Sequence, residues 1–358
     1  LKPLVGENYA GQVLFSGSAV KTALDKKLFD EGVIFTDLRT AFQKHPEIVE
    51  KVLGKIVSPD EGKFASIAGA FAENGVLLYV PKNVVIDEPL HSVLWVNDIQ
   101  KIEASHILVF IEDGASLTYV HESASAGGDE QTMHTGIVEV YVGKNANLNF
   151  VEMQSWARNM WNFTHERALI DQDAKMDWIF GGLGSHLSKS FISIDLIGKG
   201  AEGRMSGFVF TDKGQHLDLD TKQTHRKPNT VSDMLFKAAL EDTSRSVWRG
   251  MIEVEQEAQK TDGYQSNQNL VLSDDARVDS IPGLEILADD VRCTHGSTVA
   301  DLDDEEIFYL LTRGIPRITA ERLMIEGFFD PIMQRIPFEG VRKRFQQAIK
   351  DKLKVKYS

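Results

Sequence analysis

Three hydrophobic periods divide the chain. Before residue 75 the apolar positions recur at helical spacing: Pro46 stands at a first helical position, with Ile48, Val49, Val52, Leu53 and Ile56 following on one face. Phe64, Ile67, Ala68 and Phe71 repeat the pattern, and Gly75 reads as its stop. From Val76 to about Val299 the period falls to two, in β-branched and aromatic runs punctuated by Gly, Asn and Asp. After residue 300 the helical period returns. Asp301 is placed to cap a helix that opens with Asp303, Asp304, Glu305 and Glu306 and carries Ile307, Phe308, Leu310 and Leu311 as its apolar side. Gly314 and Pro316 end it, and Thr319 can cap a second helix with Leu323, Ile325, Phe328, Phe329 and Ile332. A third, from Phe338 to Leu353, places Phe338, Val341, Phe345, Ile349 and Leu353 on one stripe. The expected organisation is a helical region over 1–75, a β core over 76–300 and a helical region over 301–358.

The middle region repeats. A polar turn, a small residue and an alternating apolar run recur six times, with the small residues at Ala115, Ala146, Ala174, Ala201, Ser244 and Ala276. The spacings are 31, 28, 27, 43 and 32 residues. Short strands at such a period, with no helices between them, predict a stack of β rungs in which each turn needs its neighbours to bury its inner face. A β-sandwich produces similar alternation and stays open on pattern alone. The wide gap brackets a polar stretch, Thr211 to Thr230, which reads as an extra rung or a projecting loop.

Composition narrows the function. At 42% hydrophobic residues over 358 positions the chain can bury a large core, so disorder is excluded as the dominant state. A net charge of −14 disfavours a nucleic-acid partner bound by phosphate neutralisation, and no apolar run approaches membrane-spanning length. One cysteine permits no internal disulfide and no all-thiolate cluster held by this chain alone, which points to a reducing, cytoplasmic setting. The start Leu1-Lys2-Pro3 has neither an initiator Met nor a signal-peptide profile and reads as a trimmed chain. Residues 332–358 hold eight Lys/Arg against two acids, a basic stripe suited to a solvated helix face or a protein contact.

Several residue sets carry possible chemistry. Gly198-Lys199-Gly200-Ala201-Glu202-Gly203 matches a dinucleotide fingerprint, but strand-like Arg204 to Phe210 comes after it where a helix N-terminus is required. There is no phosphate-binding G-x-x-x-x-G-K-[ST] loop, so ATP hydrolysis by this chain is not expected. His216, Asp218 and Asp220 share one strand face, with His225 nearby; a metal set and a solvated face opposite Leu217 and Leu219 are the two readings. Glu253, Glu255 and Glu257 alternate likewise, as acids for glycoside chemistry or as an exposed face. The helix pair over 301–335 superficially resembles a nucleic-acid reading motif, but its four opening acids would repel phosphates. Cys293 and His295 stand at i and i+2 on a strand, so thiol and imidazole project from one face and can converge on one iron or zinc ion. Two ligands do not complete a site, and the plainer reading is a packed Cys beside a hydrogen-bonded His.

The ordered combination Arg277-Val278-Asp279-Ser280-Ile281-Pro282-Gly283-Leu284-Glu285-Ile286, Cys293-Thr294-His295-Gly296-Ser297-Thr298 and Asp304-Glu305-Glu306-Ile307-Phe308-Tyr309-Leu310 resembles the SufB/SufD family of iron–sulfur cluster assembly proteins. Thr224-His225-Arg226-Lys227-Pro228-Asn229-Thr230 and the segments Asn74-Gly75-Val76 to Val80-Pro81-Lys82 are similar to the same family. Gly296 directly after the His, and the single cysteine, make the likeness stronger to SufD than to SufB. The resemblance implies a mainly β fold, a right-handed parallel β-helix between helical N- and C-terminal regions, the N-terminal one longer in relatives. It also implies a non-enzymatic scaffold that pairs with a SufB-like paralogue at the β-helix end. A SufC-like ABC-type ATPase would dock on the C-terminal helices, so that ATP acts through SufC. Cys293 and His295 would then be metal ligands to a nascent cluster or iron shared with SufB, with no cofactor held by the chain alone. A SufB-like homodimeric scaffold and a stand-alone β-solenoid enzyme acting on polysaccharide are the rival expectations.

Overall fold

A computed structural model describes residues 9–17, 19–72, 74–97 and 102–356. The Leu1-Lys2-Pro3 start lies outside the described residues, as do the side chains of Arg344, Lys354 and Lys356 in the basic stripe. The chain enters with the hairpin β1 (Gly11–Ser16) and β2 (Ala19–Leu24), helix α1 (Lys26–Asp30), strand β3 (Ile34–Asp37) and helices α2 (Leu38–Lys44), α3 (Pro46–Val52) and α4 (Lys63–Phe71). The solenoid strands begin with β4 (Asn74–Val80), β5 (Leu90–Val96), β6 (Ile102–Ile111), β7 (Ser116–Ser125), β8 (Thr132–Val142), β9 (Asn147–Ser155), β10 (Met160–Ile170) and β11 (Lys175–Gly182). Next come β12 (Leu187–Leu196), β13 (Glu202–Thr211), β14 (His216–His225), β15 (Val231–Leu240), β16 (Arg245–Val254), β17 (Asp262–Val271), β18 (Arg277–Ile286) and β19 (Arg292–Ala300). Helices α5 (Asp304–Thr312), α6 (Arg317–Met333) and α7 (Glu339–Lys356) close the chain.

Successive strands alternate between two sheets, ordered β19-β17-β15-β13-β11-β9-β7-β5-β1-β2 and β18-β16-β14-β12-β10-β8-β6-β4-β3. Pairing is parallel except at β1–β2 and β3–β4, so each rung contributes one strand to each face of a right-handed β-solenoid. The small residues are its corners. Ala115, Ala146, Ala174 and Ala201 are buried just ahead of strands of the first sheet, while Ser244 and Ala276 precede strands of the second. The spacing of 43 residues is therefore a change of column, and Thr211 to Thr230 contains an ordinary rung, β14. In the first column the positions after Ala201 are Thr230 and Thr261, whose hydroxyls bond each other at 3.2 Å; the repeat continues there with Thr in place of Ala.

The corner turns use left-handed backbone at Gly114, Asn145, Asp173 and Gly200, residue types that tolerate it. This also accounts for the fingerprint glycines. A Cβ on Gly198 would collide with the backbone of Gln172 on the preceding rung, so the glycine permits rungs to stack. The chain runs on into β13 rather than a helix, and the set is a corner rather than a dinucleotide loop.

Inside, side chains stack in register. Tyr119 and Phe150 lie 5.2 Å apart and nearly parallel, and Trp178 continues the ladder 5.1 Å beyond Phe150. The outer face of the first sheet is covered by α6 and α7, whose Phe329 and Phe345 pack edge-on against Phe208. Two cations of the basic stripe clamp them there: Arg335 donates to Ser206 Oγ at 2.8 Å and Asp233 at 2.9 Å, and Lys352 donates to Asp212 and Gln215 at 2.8 Å. The stripe is thus partly an internal fastening.

The N-terminal region is not wholly helical as expected. β1 joins β5, β2 extends the edge beyond it, and β3 pairs with β4. The alternation of Gln12 to Phe15 and Ile34 to Asp37 marks those strands, but each is too short to stand out from flanking helical signals. Gly75 lies within β4, and α4 ends at Phe71. At the other end Asp303, not Asp301, caps α5, accepting from Glu305 N at 2.8 Å. Pro316, three residues ahead of Thr319, is the N-cap of α6, its fixed φ suiting a helix entry.

One carboxylate holds the helical N-terminal layer on the second sheet. Buried Glu139 of β8 accepts from the N–H groups of Gly54 at 2.7 Å, Ile56 at 2.6 Å and Val57 at 3.0 Å, and from His106 Nε2 at 2.6 Å. Burial alone would raise its pKa, but the imidazole and the backbone donors outweigh it and hold it below the ordinary carboxylate value. Its stabilisation is therefore present above the unfolded-state value and lost as pH falls through the lower folded one. Glu139→Gln should lower stability at pH 7 by about 2–3 kcal/mol, read from the urea midpoint, with the difference from the parent shrinking in acid.

Candidate functional site at the open end of the solenoid

β18 and β19 end the stack. Each is the last strand of its sheet among the described residues, and each turns a row of backbone N–H and C=O groups to the outside. Most residues of β19 are exposed, including His295, and exposed apolar side chains gather around the last rung at Ile281, Ile286, Leu287 and Val299.

Cys293 and His295 lie on this rung and alternate with outward Arg292 and Thr294, as i and i+2 require. Cys293 pairs in register with Gly263, and the absent side chain there leaves room for the sulfur: a Cβ on Gly263 would meet Sγ at 3.2 Å. The thiol packs beside Ile252 and Leu284 and is half-buried. Burial pushes its pKa up and nearby Asp262 adds to this, while the backbone at Gly263 opposes it, so Cys293 is a thiol at neutral pH. His295 pairs in register with Gln265, which is fully buried one rung below. Gln265 Nε2 donates to Gly283 O at 2.8 Å across to the second sheet, and its Oε1, near Gly250, has no partner. Ser297 donates to Ser280 Oγ at 2.8 Å and ties the two edge strands across the mouth. The last rung therefore offers one half-buried thiol and one accessible imidazole. Among the described residues no group of three or more His, Cys, Asp or Glu converges as a metal site.

The other candidate sets come apart as chemistry. Asp218 binds Lys189 and Arg249, each at 3.0 Å, and the same cations reach Asp220, so the acids lie on a neutralised outer face with Leu217 and Leu219 buried behind them. His225 faces inward, bonded to Thr230 at 2.7 Å and Ser232 at 2.9 Å, and burial pushes its pKa down to about 4. Glu253, Glu255 and Glu257 pair separately with Lys222, Arg226 and Lys227. In α5 only Ile307 of the expected apolar side is buried; Phe308, Tyr309 and Leu311 face outward and, with Ile318 and Leu323 of α6, form an uncovered apolar surface. Periodicity marked those positions as apolar but was silent on whether the solenoid or something else covers them. Gln265 gave no sequence signal at all; only the strand register brings it under His295.

A family model described as the SUF system FeS cluster assembly SufBD core domain matches residues 94–328, and one described as the SufBD protein N-terminal region matches residues 9–91. The chain belongs to the SufBD family of iron–sulfur cluster assembly proteins. Among its relatives are iron–sulfur cluster assembly SufBD family proteins of Staphylococcus saprophyticus and of Staphylococcus aureus strain USA300. Each is 29% identical over 338 residues, spanning 94% of this chain and 71% of the relative. The matched SufBD core domain runs from β5 into α6, and so takes in the open rung and the uncovered face of α5.

Because the thiol is raised and partly enclosed, alkylation of Cys293 by iodoacetamide at pH 7 should be slower than that of a free cysteine peptide. It should accelerate in step with hydroxide concentration as pH rises toward 9, read by intact-mass spectrometry on the one cysteine.

Proposed function

We propose that this SufBD-family chain is a SufD-type subunit of the cluster assembly scaffold. In this reading the open solenoid end pairs with a SufB-like paralogue, and the C-terminal helices dock a SufC-like ABC-type ATPase. The observation that carries it is the last rung: edge strands ready for β-pairing, with the thiol and imidazole of Cys293 and His295 set into the same end. The nascent cluster or iron is the cargo. His295 supplies a nitrogen ligand or proton acceptor, Cys293 a thiol, and the paralogue the remaining ligands, since clusters are held by about four protein ligands. The chain itself does not turn over substrate; ATP is bound and hydrolysed by the partner, and the work takes place in a reducing cytoplasm.

Transmission of ATPase motion has a physical basis. The exposed face of α5 and α6 is apolar enough to be a protein contact, while α6 and α7 are packed and clamped onto the first sheet. A push on α5 therefore reaches rungs already stacked on one another and ending at the seam. A second copy in place of the paralogue is the competing use of the same open edge.

His295→Ala should leave the urea midpoint within about 0.5 kcal/mol of the parent, because the side chain is exposed. It should abolish cluster assembly in cells lacking the parent gene; undiminished assembly would remove His295 from the site. Phe308→Asp with Tyr309→Asp should cut co-purification of an ABC-type ATPase at least about tenfold while preserving paralogue binding. Full-yield ATPase capture would move the docking surface elsewhere.

A further inference from the structure

The lumen of the solenoid is not uniformly apolar. Between β7 and β10 its inward positions carry two imidazoles fully bonded to neutral groups. His121 meets Ser92 at 2.7 Å and Ser123 at 3.0 Å, and His134 meets Ser105 at 2.9 Å and Asn162 at 2.7 Å. Burial pushes them down to about 3 and about 4, so neither is charged at pH 7.

Two carboxyls share this space. Glu152 of β9 and Glu166 of β10 enter from opposite sheets, 6% and 2% exposed, within hydrogen-bonding reach of each other. Glu152 Oε2 and both oxygens of Glu166 have no partner. Gln154, on the same face of β9 and 3% exposed, accepts from Gly184 N at 2.9 Å through Oε1, while its Nε2 has no acceptor. Trp178 Nε1, also unmatched, faces Glu152. The cavity lined by Glu152, Gln154, Glu166 and both imidazoles measures about 20 Å³, room for one water. It has no Lys or Arg in its wall.

Two ionised carboxylates cannot sit side by side in such a place without a proton or a cation between them. The donors and acceptors left over match one proton and one water. We propose that Glu152 and Glu166 hold a single proton between them and, with Gln154, bind one buried water, so that the solenoid interior carries a loaded proton site at neutral pH. The other titratable groups facing the pair are Tyr119 and His121 from β7 and His134 from β8. β11 and β12 contribute uncharged Trp178, Phe180 and Ser190. Burial first, and mutual repulsion second, raise the Glu152 carboxyl, and burial raises that of Glu166. The folded chain therefore binds more protons than the unfolded one. Stability is greatest below the ordinary glutamate value and falls as pH rises toward the folded one.

Infrared difference spectra of the full chain at pH 7 should show a protonated-carboxyl C=O band that is lost in the Glu152→Gln/Glu166→Gln variant. Above the ordinary glutamate value the urea midpoint of the parent should fall with pH relative to that of Glu152→Gln/Glu166→Gln, the two slopes differing by about one proton. A parent spectrum without the band, or equal slopes in parent and double variant, overturns the proposal. So does a parent midpoint that rises with added potassium and a variant midpoint that does not, which assigns the space to a cation. The infrared measurement on the parent stands even if the variants fail to fold.

Discussion

Everything in this molecule rests on in-register parallel stacking of one rung on the next. No rung can bury its inner face alone, and the hydrogen bonds of each strand are made to the strands before and after it. The corners make the stacking possible: small residues tucked at the turns, left-handed backbone at Asn, Asp or Gly beside them, and Gly198 where any side chain would strike the preceding rung. Identical side-chain directions then line up from rung to rung, which produces both the Tyr119–Phe150–Trp178 ladder and the polar interior around His121 and His134.

A stack of this kind must end, and how it ends decides its use. At the N-terminal side the hairpin β1–β2 and the antiparallel β3 finish the two sheets, and helices cover part of the second. At the other end nothing among the described residues pairs with β18 or β19 on their outer sides. An uncovered parallel edge is a hazard unless a partner occupies it, and here it coincides with the thiol and the accessible imidazole. The C-terminal helices do not close that end. They fold back along the outer face of the first sheet, held by Phe329, Phe345, Arg335 and Lys352, and leave the face of α5 bare. In the proposed role both bare surfaces are places for partners, which an assembly scaffold needs.

The repeat period, the β-branched alternation and the helical segments were legible because each is a local or near-periodic property. The rung spacing was readable from Ala115 through Ala201, and Pro46 marked its helix correctly. The jump to Ser244 misled because small corner residues occur in two columns, and only pairing tells which column a residue occupies. The short strands β1, β2 and β3 were missed because their stabilisation comes from long-range partners and their own patterns are weak. The i, i+2 spacing put Cys293 and His295 together on one strand, as β19 has them, whereas the half-enclosed state of one and the exposure of the other were not readable from spacing.

By itself the sequence determined a repetitive β core between helical segments: two-residue alternation recurring with polar corners must bury its apolar side against like strands, in a stack or a sandwich, and one cysteine cannot build an all-thiolate cluster site alone. Tertiary structure decided which polar residues face inward. Glu152 and Glu166, ordinary acids in a strand pattern, become an isolated buried pair because register brings them together from opposite sheets. Asp218 and Asp220 become a neutralised surface because Lys189 and Arg249 lie on adjoining strands. Such outcomes depend on which residues become neighbours half a rung or a whole rung apart, and the stacking register, which no local propensity encodes, sets that.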